Sequence, residues 1–322
     1  MDRWSGILRV PLSQNNRTYY RVGASLCLAS ATKTPRVPSA NAIFFCGDRV
    51  EGTGNPVIER LSDLQKISEI LVSKFGNLVN AWVIEASVYN GPFAVYKDFI
   101  SSLNKWGEPK SYSPIGFPAS TSTVSLLSSC LEEIKKTISG RQREAHSTCS
   151  PPKTFIIGFS KGGAVVNQLV TELGFSEIRS TRDSSDLEQS TVRDFSGPEE
   201  GICIVPDTKE CLINSMTEIH YVDVGLNSSG AYLNDHNVIE RISEKLASRT
   251  AGLRFVLHGT PRQWCDSRRV WIRNEKDKLV HLLESVAHRS GGKLQVYERF
   301  YFADRPPDMQ MHFEIIENLD VN

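Results

Sequence analysis

The stretch Phe155-Ile156-Ile157-Gly158-Phe159-Ser160-Lys161-Gly162-Gly163-Ala164-Val165-Val166 constrains the chain most, because it joins a β-favouring apolar run to a helix-compatible one through a minimal turn. A strand that passes at once into a helix needs close backbone contact where the two cross. Glycines at 158 and 162 remove the Cβ atoms that would collide there. The residue between them then occupies a strained turn tip, and here it is Ser160. Residues 158–162 therefore read as a G-x-S-x-G nucleophile elbow. The plainer reading, a chance match in which Ser160 caps the helix, fits less well with the apolar run before Gly158, the extra glycine and the Ala-Val-Val run after Gly162. Phosphate-loop readings fail: Gly163 is followed by Ala164-Val165 rather than Lys and Ser or Thr, and a dinucleotide fingerprint needs glycine where Ser160 stands.

With 322 residues, 40% of them hydrophobic, the chain can bury a full core. Its 37 basic and 37 acidic side chains generate no global field toward nucleic acid or anionic membrane, which leaves a small molecule or a protein as partner. No apolar run reaches the roughly 18 residues of a membrane span, and no apolar segment follows Asp2 as in a secretory signal, so an intracellular protein is expected. The seven cysteines are widely spaced without a C-x-x-C pair, indicating neither a disulfide framework nor a metal site. No cofactor is implied.

Strand and helix signals alternate along the chain. Residues 5–10 and 17–28 suggest a hairpin around the polar stretch Ser13–Arg17, and apolar runs at 42–46, 81–85, 154–158, 219–223, 253–257 and 293–302 read as strands. Helical spacing appears over 57–75, 120–138, 162–173, 235–247 and 274–289. The pattern predicts an α/β fold: one domain over 1–322, with a mostly parallel doubly wound sheet and insertions at about 87–118, 139–153 and 174–216. The second and third insertions are polar and read as solvated loops. The first carries Tyr89, Phe93, Tyr96, Phe99, Trp106, Tyr112 and Phe117; it either forms a satellite cluster stabilising its own loop or walls an apolar pocket over Ser160.

An activated serine needs a histidine base and a carboxylate to orient it, in the chain order Ser, acid, His on this type of fold. Of the seven histidines, His146 precedes Ser160, His220 lies in a strand, His236, His281 and His288 fall in helical stretches, and His258 ends a strand ahead of the best acid. His312, in a loop after the last strand, is the expected base. Asp266, in the loop after the strand 253–257, is the first candidate for the acid. Asp223, at the end of the preceding strand, is its rival, with capping of the turn through Gly225 as its plain structural role. For the oxyanion, the candidates are the backbone N–H of Lys161 and that of Asp48, in a loop opened by Gly47; the Asp48 and Arg49 side chains would otherwise pair on the surface.

Gly47-Asp48 after the first core strand, Gly-Phe-Ser-Lys-Gly at 158–162, Thr260-Pro261 ahead of Asp266, and His312-Phe313 together resemble the eukaryotic family named after chromosome 2 open reading frame 69. The resemblance runs over roughly residues 42–320, with the serine motif as its most specific part. It implies an α/β-hydrolase-like fold and a serine-hydrolase-type site, in support of Ser160, Asp266 and His312. It also implies a mitochondrial association, although the first thirty residues lack an Arg- and Ser-rich amphipathic presequence, so the expected address stays mitochondrial or cytoplasmic. The expectation is a serine hydrolase acting on a small acyl ester or thioester. The alternative is a non-catalytic binding or scaffold protein on the same fold.

Overall fold

Segments that carry apolar residues toward both faces can be buried only where both faces of a sheet are covered, and the inner strands here are of that kind. The computed structural model describes residues 2–12, 18–138, 152–177 and 203–322. Its strands are β1 (Arg3–Pro11), β2 (Tyr19–Cys27), β3 (Ala40–Phe45), β4 (Val79–Ile84), β5 (Val88–Asn90), β6 (Phe93–Val95), β7 (Lys153–Phe159), β8 (Met216–Val222), β9 (Leu253–Gly259) and β10 (Leu294–Phe300). Eight form one sheet in the order β1-β2-β4-β3-β7-β8-β9-β10, and β5 with β6 makes a separate hairpin. The β1–β2 and β2–β4 pairs are antiparallel; every pair from β4 to β10 is parallel.

The helices are α1 (Pro56–Leu61), α2 (Leu64–Phe75), α3 (Pro118–Thr137), α4 (Gly163–Phe175), α5 (Lys209–Ser215), α6 (His236–Ser248), α7 (Pro261–Trp264), α8 (Val270–Ala287) and α9 (Met309–Asn318). Successive residues of the inner strands supply opposite faces. Ile43, Phe45, Trp82, Ile84 and Ile156 join the core beneath α3, α4, α6 and α8, whereas Phe44, Val83, Ile157 and Phe159 join the core under α1, α2 and α9. This is the doubly wound sheet that the alternating pattern predicts.

The differences from the sequence reading have local causes. The helix expected over 57–75 is two helices, because Asp63 accepts the Lys66 N–H and starts α2 afresh. Residues 163–175 are wholly helical and 209–215 form α5, so the expected loop 174–216 is shorter than its polarity suggested. Residues 178–202 of that loop, most of 139–153, the Ser13–Arg17 turn and His146 lie outside the described residues. The aromatic segment is no satellite. Tyr96 and Phe99 are buried in the main core, edge-on to Phe45, with Tyr20 beside Phe99.

His220 and His258, on adjacent strands, form a buried polar chain. Glu218 only accepts, so His220 Nε2–H donates to it (3.0 Å). His220 Nδ1 then accepts from His258 Nε2–H (3.1 Å), and His258 Nδ1 accepts from the Tyr301 hydroxyl (2.8 Å). Every member is satisfied with both rings neutral, and burial holds both pKa values below the ordinary histidine value. In the unfolded chain these rings take up protons as pH falls through about 6.5, while the folded ones do not, so folded stability is present above that pH and is lost below it. Urea unfolding between pH 7.5 and 5.5 should therefore show stability falling, by at most about 1.4 kcal/mol per pH unit for each ring, with a shallower slope in His258→Gln. Equal slopes in the two proteins would rule out a neutral pair.

Candidate active site

Strand β7 ends at Phe159, and Ser160–Gly162 make one 3-10 turn before α4 begins. Ser160 stands at φ +52°, a conformation that non-glycine residues adopt at a cost on the order of 1 kcal/mol or more. The crossing around it over-determines that conformation. A Cβ on Gly162 would lie 2.1 Å from the Phe45 carbonyl oxygen, and one on Gly158 would lie 2.7 Å from Gly163 Cα. The loop after β3 closes the other side: a Cβ on Gly47 would lie 2.5 Å from Ser160 Cβ and 3.0 Å from its Oγ. The backbone at 46–48 thus rests on the serine. This loop is held in turn by the Asp48 carboxylate, which accepts the Ala94 N–H of β6 (2.7 Å), and by the Tyr96 hydroxyl, which donates to the Cys46 carbonyl (2.7 Å). Asp48 and Arg49 do not pair with each other; Arg49 donates to Glu85 (3.0 Å) over the Tyr89 ring.

His312 lies in the first turn of α9, not in a loop. Asp308 caps that helix through the Met311 N–H (2.6 Å), and Met311, Ile315 and Ile316 bury its inner face. The His312 ring packs on Phe159, the residue before Ser160, with centroids 4.6 Å apart. Its Nδ1 lies 2.6 Å from Asp223 Oδ2. The carboxylate only accepts, so Nδ1 carries the proton and Nε2 is left as an acceptor.

Asp223 follows β8 at φ +45° and is completely buried. Besides His312 it accepts the Thr260 N–H at Oδ1 (2.7 Å) and the Thr260 hydroxyl at Oδ2 (3.0 Å). The expectation for Asp266 is thereby corrected: the structure brings Asp223, not Asp266, to His312. Asp266 accepts instead from the Arg268 N–H (2.9 Å) and from Arg269 Nε (2.9 Å), and these bonds outweigh partial burial to hold its carboxyl below the usual range. A local signal separated the two. Asp223 stands in the apolar context Val222-Asp223-Val224, where a carboxylate must find distant partners, whereas Asp266 sits beside Ser267-Arg268-Arg269 and pairs with its neighbours.

Ser160, His312, Lys161, Asp48 and Asp266 line one cleft of about 430 Å³, with Phe93 in its wall. The aromatic insertion thus contributes both to the core and to this wall. Lys161 is buried, with Nζ 4.0 Å from Glu108 and 4.9 Å from the Phe93 ring centre. Burial lowers its pKa against the pull of Asp48 and Glu108, and burial raises that of Asp48 against the pull of Lys161. Sequence reasoning passed over Glu108, which also accepts from Asn227 N–H and the Ser228 hydroxyl, and it noted Thr260-Pro261 without assigning the buried Thr260 to Asp223. Among the described residues no cluster of His, Cys, Asp and Glu is disposed to hold a metal ion, and no helix is long and apolar enough to cross a membrane.

The eight-stranded sheet, antiparallel at its β1–β2 edge and parallel from β4 to β10, with a serine between its central strand and the following helix, defines an α/β-hydrolase fold. The family model described as C2orf69 matches residues 119–288, more than half of the sequence. The chain belongs to the C2orf69 family. It is 25% identical over 296 residues to the mitochondrial protein C2orf69 homolog of Mus musculus, covering 79% of this chain and 69% of that protein. It is 23% identical over 294 residues to mitochondrial protein C2orf69 of Homo sapiens, covering 79% and 66% respectively. The chain thus spans about two thirds of the length of these relatives. Among solved structures it is similar to the BES protein from Bacillus cereus (TM-score 0.47, 12% identity, 98% of this chain and 92% of that one). It is also similar to the siderophore hydrolase EstA from Aspergillus nidulans (TM-score 0.44, 10% identity, 98% and 95%).

Two stability measurements test the geometry. Gly162→Ala should unfold or strongly destabilise the protein, by on the order of 3 kcal/mol, since the obstacle is backbone that cannot swing away. Asp223→Ala should cost about 3 kcal/mol or more in chemical denaturation, because it strands a buried Thr260 N–H and His312 Nδ1–H, whereas Asp266→Ala should cost under about 1 kcal/mol. The reverse order would contradict this assignment of partners.

Proposed function

We propose that the chain is a serine hydrolase of small acyl esters or thioesters, in which Ser160 is the nucleophile of a G-x-S-x-G elbow, His312 the base and Asp223 the orienting acid. The observation that carries this reading is the 2.6 Å contact between His312 Nδ1 and the buried Asp223, with the imidazole packed at a tilt on the residue that precedes a serine at positive φ. A hydroxyl becomes an effective nucleophile when a neutral imidazole takes its proton, and Nε2 is the His312 nitrogen left to do so.

In this mechanism Ser160 Oγ bonds to the acyl carbon while its proton moves to His312 Nε2. The carbonyl oxygen gains a negative charge and is met by the backbone N–H groups of Lys161 and Asp48, whose loop packs against Ser160. Collapse breaks the bond to the alcohol or thiol, which leaves with the proton from Nε2. Water then attacks the acyl-serine by the same route and releases the acid. Asp223 remains ionised throughout, holding the tautomer and stabilising the imidazolium. The names of the curated relatives support a mitochondrial setting for this activity.

A fluorophosphonate probe requires an activated serine and no knowledge of the substrate. It should label the wild type and leave Ser160→Ala unlabelled, with the melting temperature nearly unchanged. Asp223→Asn should favour the wrong imidazole tautomer and lower the labelling rate and ester hydrolysis by roughly 10²- to 10⁴-fold, while Asp266→Asn stays within a few-fold of wild type. Folded wild type without labelling, or labelling that survives Ser160→Ala, would overturn the reading; the first result would point to a binding or scaffold protein.

A further inference from the structure

Most of the charges around the Ser160 cleft are paired. Arg49 is engaged by Glu85, Arg269 by Asp266, and Lys161, although its Nζ makes no hydrogen bond, has Glu108 at 4.0 Å. Arg262 is different. Among the described residues its guanidinium donates no hydrogen bond and has no carboxylate within 4.0 Å, and its Nε is buried without a partner. It nevertheless lines the same cleft as Ser160 and His312.

Its position is not left to a mobile side-chain anchor. Thr260, two residues earlier, is held by Asp223 through both its N–H and its hydroxyl, and Pro261 opens α7 directly after it. The next residue, Gln263, is buried against Gly225, where an added Cβ would lie 2.4 Å from its Oε1. The carboxylate that orients His312 therefore also fixes the backbone that carries Arg262. A half-buried guanidinium without a hydrogen bond loses hydration that the more distant carboxylates of Asp223, Asp266 and Asp308 offset only in part, and it is the side chain best shaped to bind a carboxylate or phosphate through two parallel N–H bonds. Arg269 and Lys161 add positive charge to the same cleft, while Asp266 is already occupied by two arginine donors.

We infer that the cleft takes acyl substrates bearing an anionic group, a carboxylate or a phosphate, and that Arg262 is the residue that holds it. This inference rests on Ser160 as the nucleophile only in so far as the bound anion belongs to a substrate. A neutral aliphatic acyl chain would cover Arg262 without pairing it, so the residue selects for charge as well as positioning it.

The test compares para-nitrophenyl hexanoate with para-nitrophenyl hemiadipate, which differ in a terminal methyl against a terminal carboxylate. The wild type should favour the hemiadipate in kcat/KM by about tenfold or more, as expected of one charge-assisted pair. Arg262→Gln should bring the ratio close to one, mainly through KM for the anionic ester, and Arg262→Lys should keep part of the preference. A second arm needs no turnover: calorimetry on Ser160→Ala should detect binding of adipate or of phenyl phosphate that Arg262→Gln abolishes in the same background. The tighter of the two names the anion. Equal hydrolysis of both esters by the wild type, or a preference that persists in folded Arg262→Gln, overturns the inference. So does failure of Ser160→Ala to bind either anion. If neither ester is hydrolysed but Arg262-dependent binding is present, the anion site stands and the hydrolase reading falls.

Discussion

Everything at the candidate site converges on the Asp223 carboxylate. It is fully buried and accepts three hydrogen bonds, one from His312 and two from Thr260. A charge in that position is tolerated only because its acceptor capacity is filled by well-placed donors. Through those bonds a single group ties the end of β8 to the end of β9 and to the first turn of α9, three elements far apart in sequence. Its own φ of +45° places it among the few non-glycine residues in left-handed backbone, Ser160 being another. Such conformations persist where the surroundings leave no alternative. Around Ser160 those surroundings are the strand–helix crossing and the loop at Gly47.

The same economy appears beneath the site. Helix α4 is buried nearly all round, so its polar side chains act as internal fasteners rather than as a solvent face. Glu172 accepts the first N–H groups of α3 at Ala119 and Ser120, where the residue at the helix start, Phe117, has no capping side chain. Asn167 joins the Tyr112 hydroxyl, the Tyr221 hydroxyl and the backbone of 230–233. These bonds lock the aromatic insertion and the 226–235 loop onto the sheet. They give the cleft walls a rigid base, which a site that positions reacting groups requires.

Charge near the serine is arranged unevenly. Lys161 is desolvated and has Glu108 at 4.0 Å, whereas Arg262 has no carboxylate that near and feels Asp223, Asp266 and Asp308 only from farther off. The two cations line the serine's cleft from different elements, one in the turn after β7 and the other after β9. A cleft built this way favours negative charge in whatever it binds, and the anchoring of Thr260 by Asp223 makes that preference part of the same framework as the imidazole.

Much of this was legible in the order of residues. Runs with apolar residues for both faces demanded a sheet covered on both sides, and Gly158, Ser160 and Gly162 demanded a tight strand–helix crossing, because those are local steric requirements. His312 was reachable by elimination along the chain, although its helix was missed: Asp308 caps it, and the preceding Pro306-Pro307 masked the start. The choice between Asp223 and Asp266 was not decidable from chain order, since both follow Ser160 and precede His312. Their sequence neighbours differ, but the packed structure decides, because pairing in space shows which carboxylate is taken: Arg268 and Arg269 reach Asp266 from three residues away or fewer, and Asp223, enclosed by valines, has to wait for Thr260 and His312 to be brought to it. The unpaired state of Arg262 is of the same kind, visible only when every neighbour has found its place.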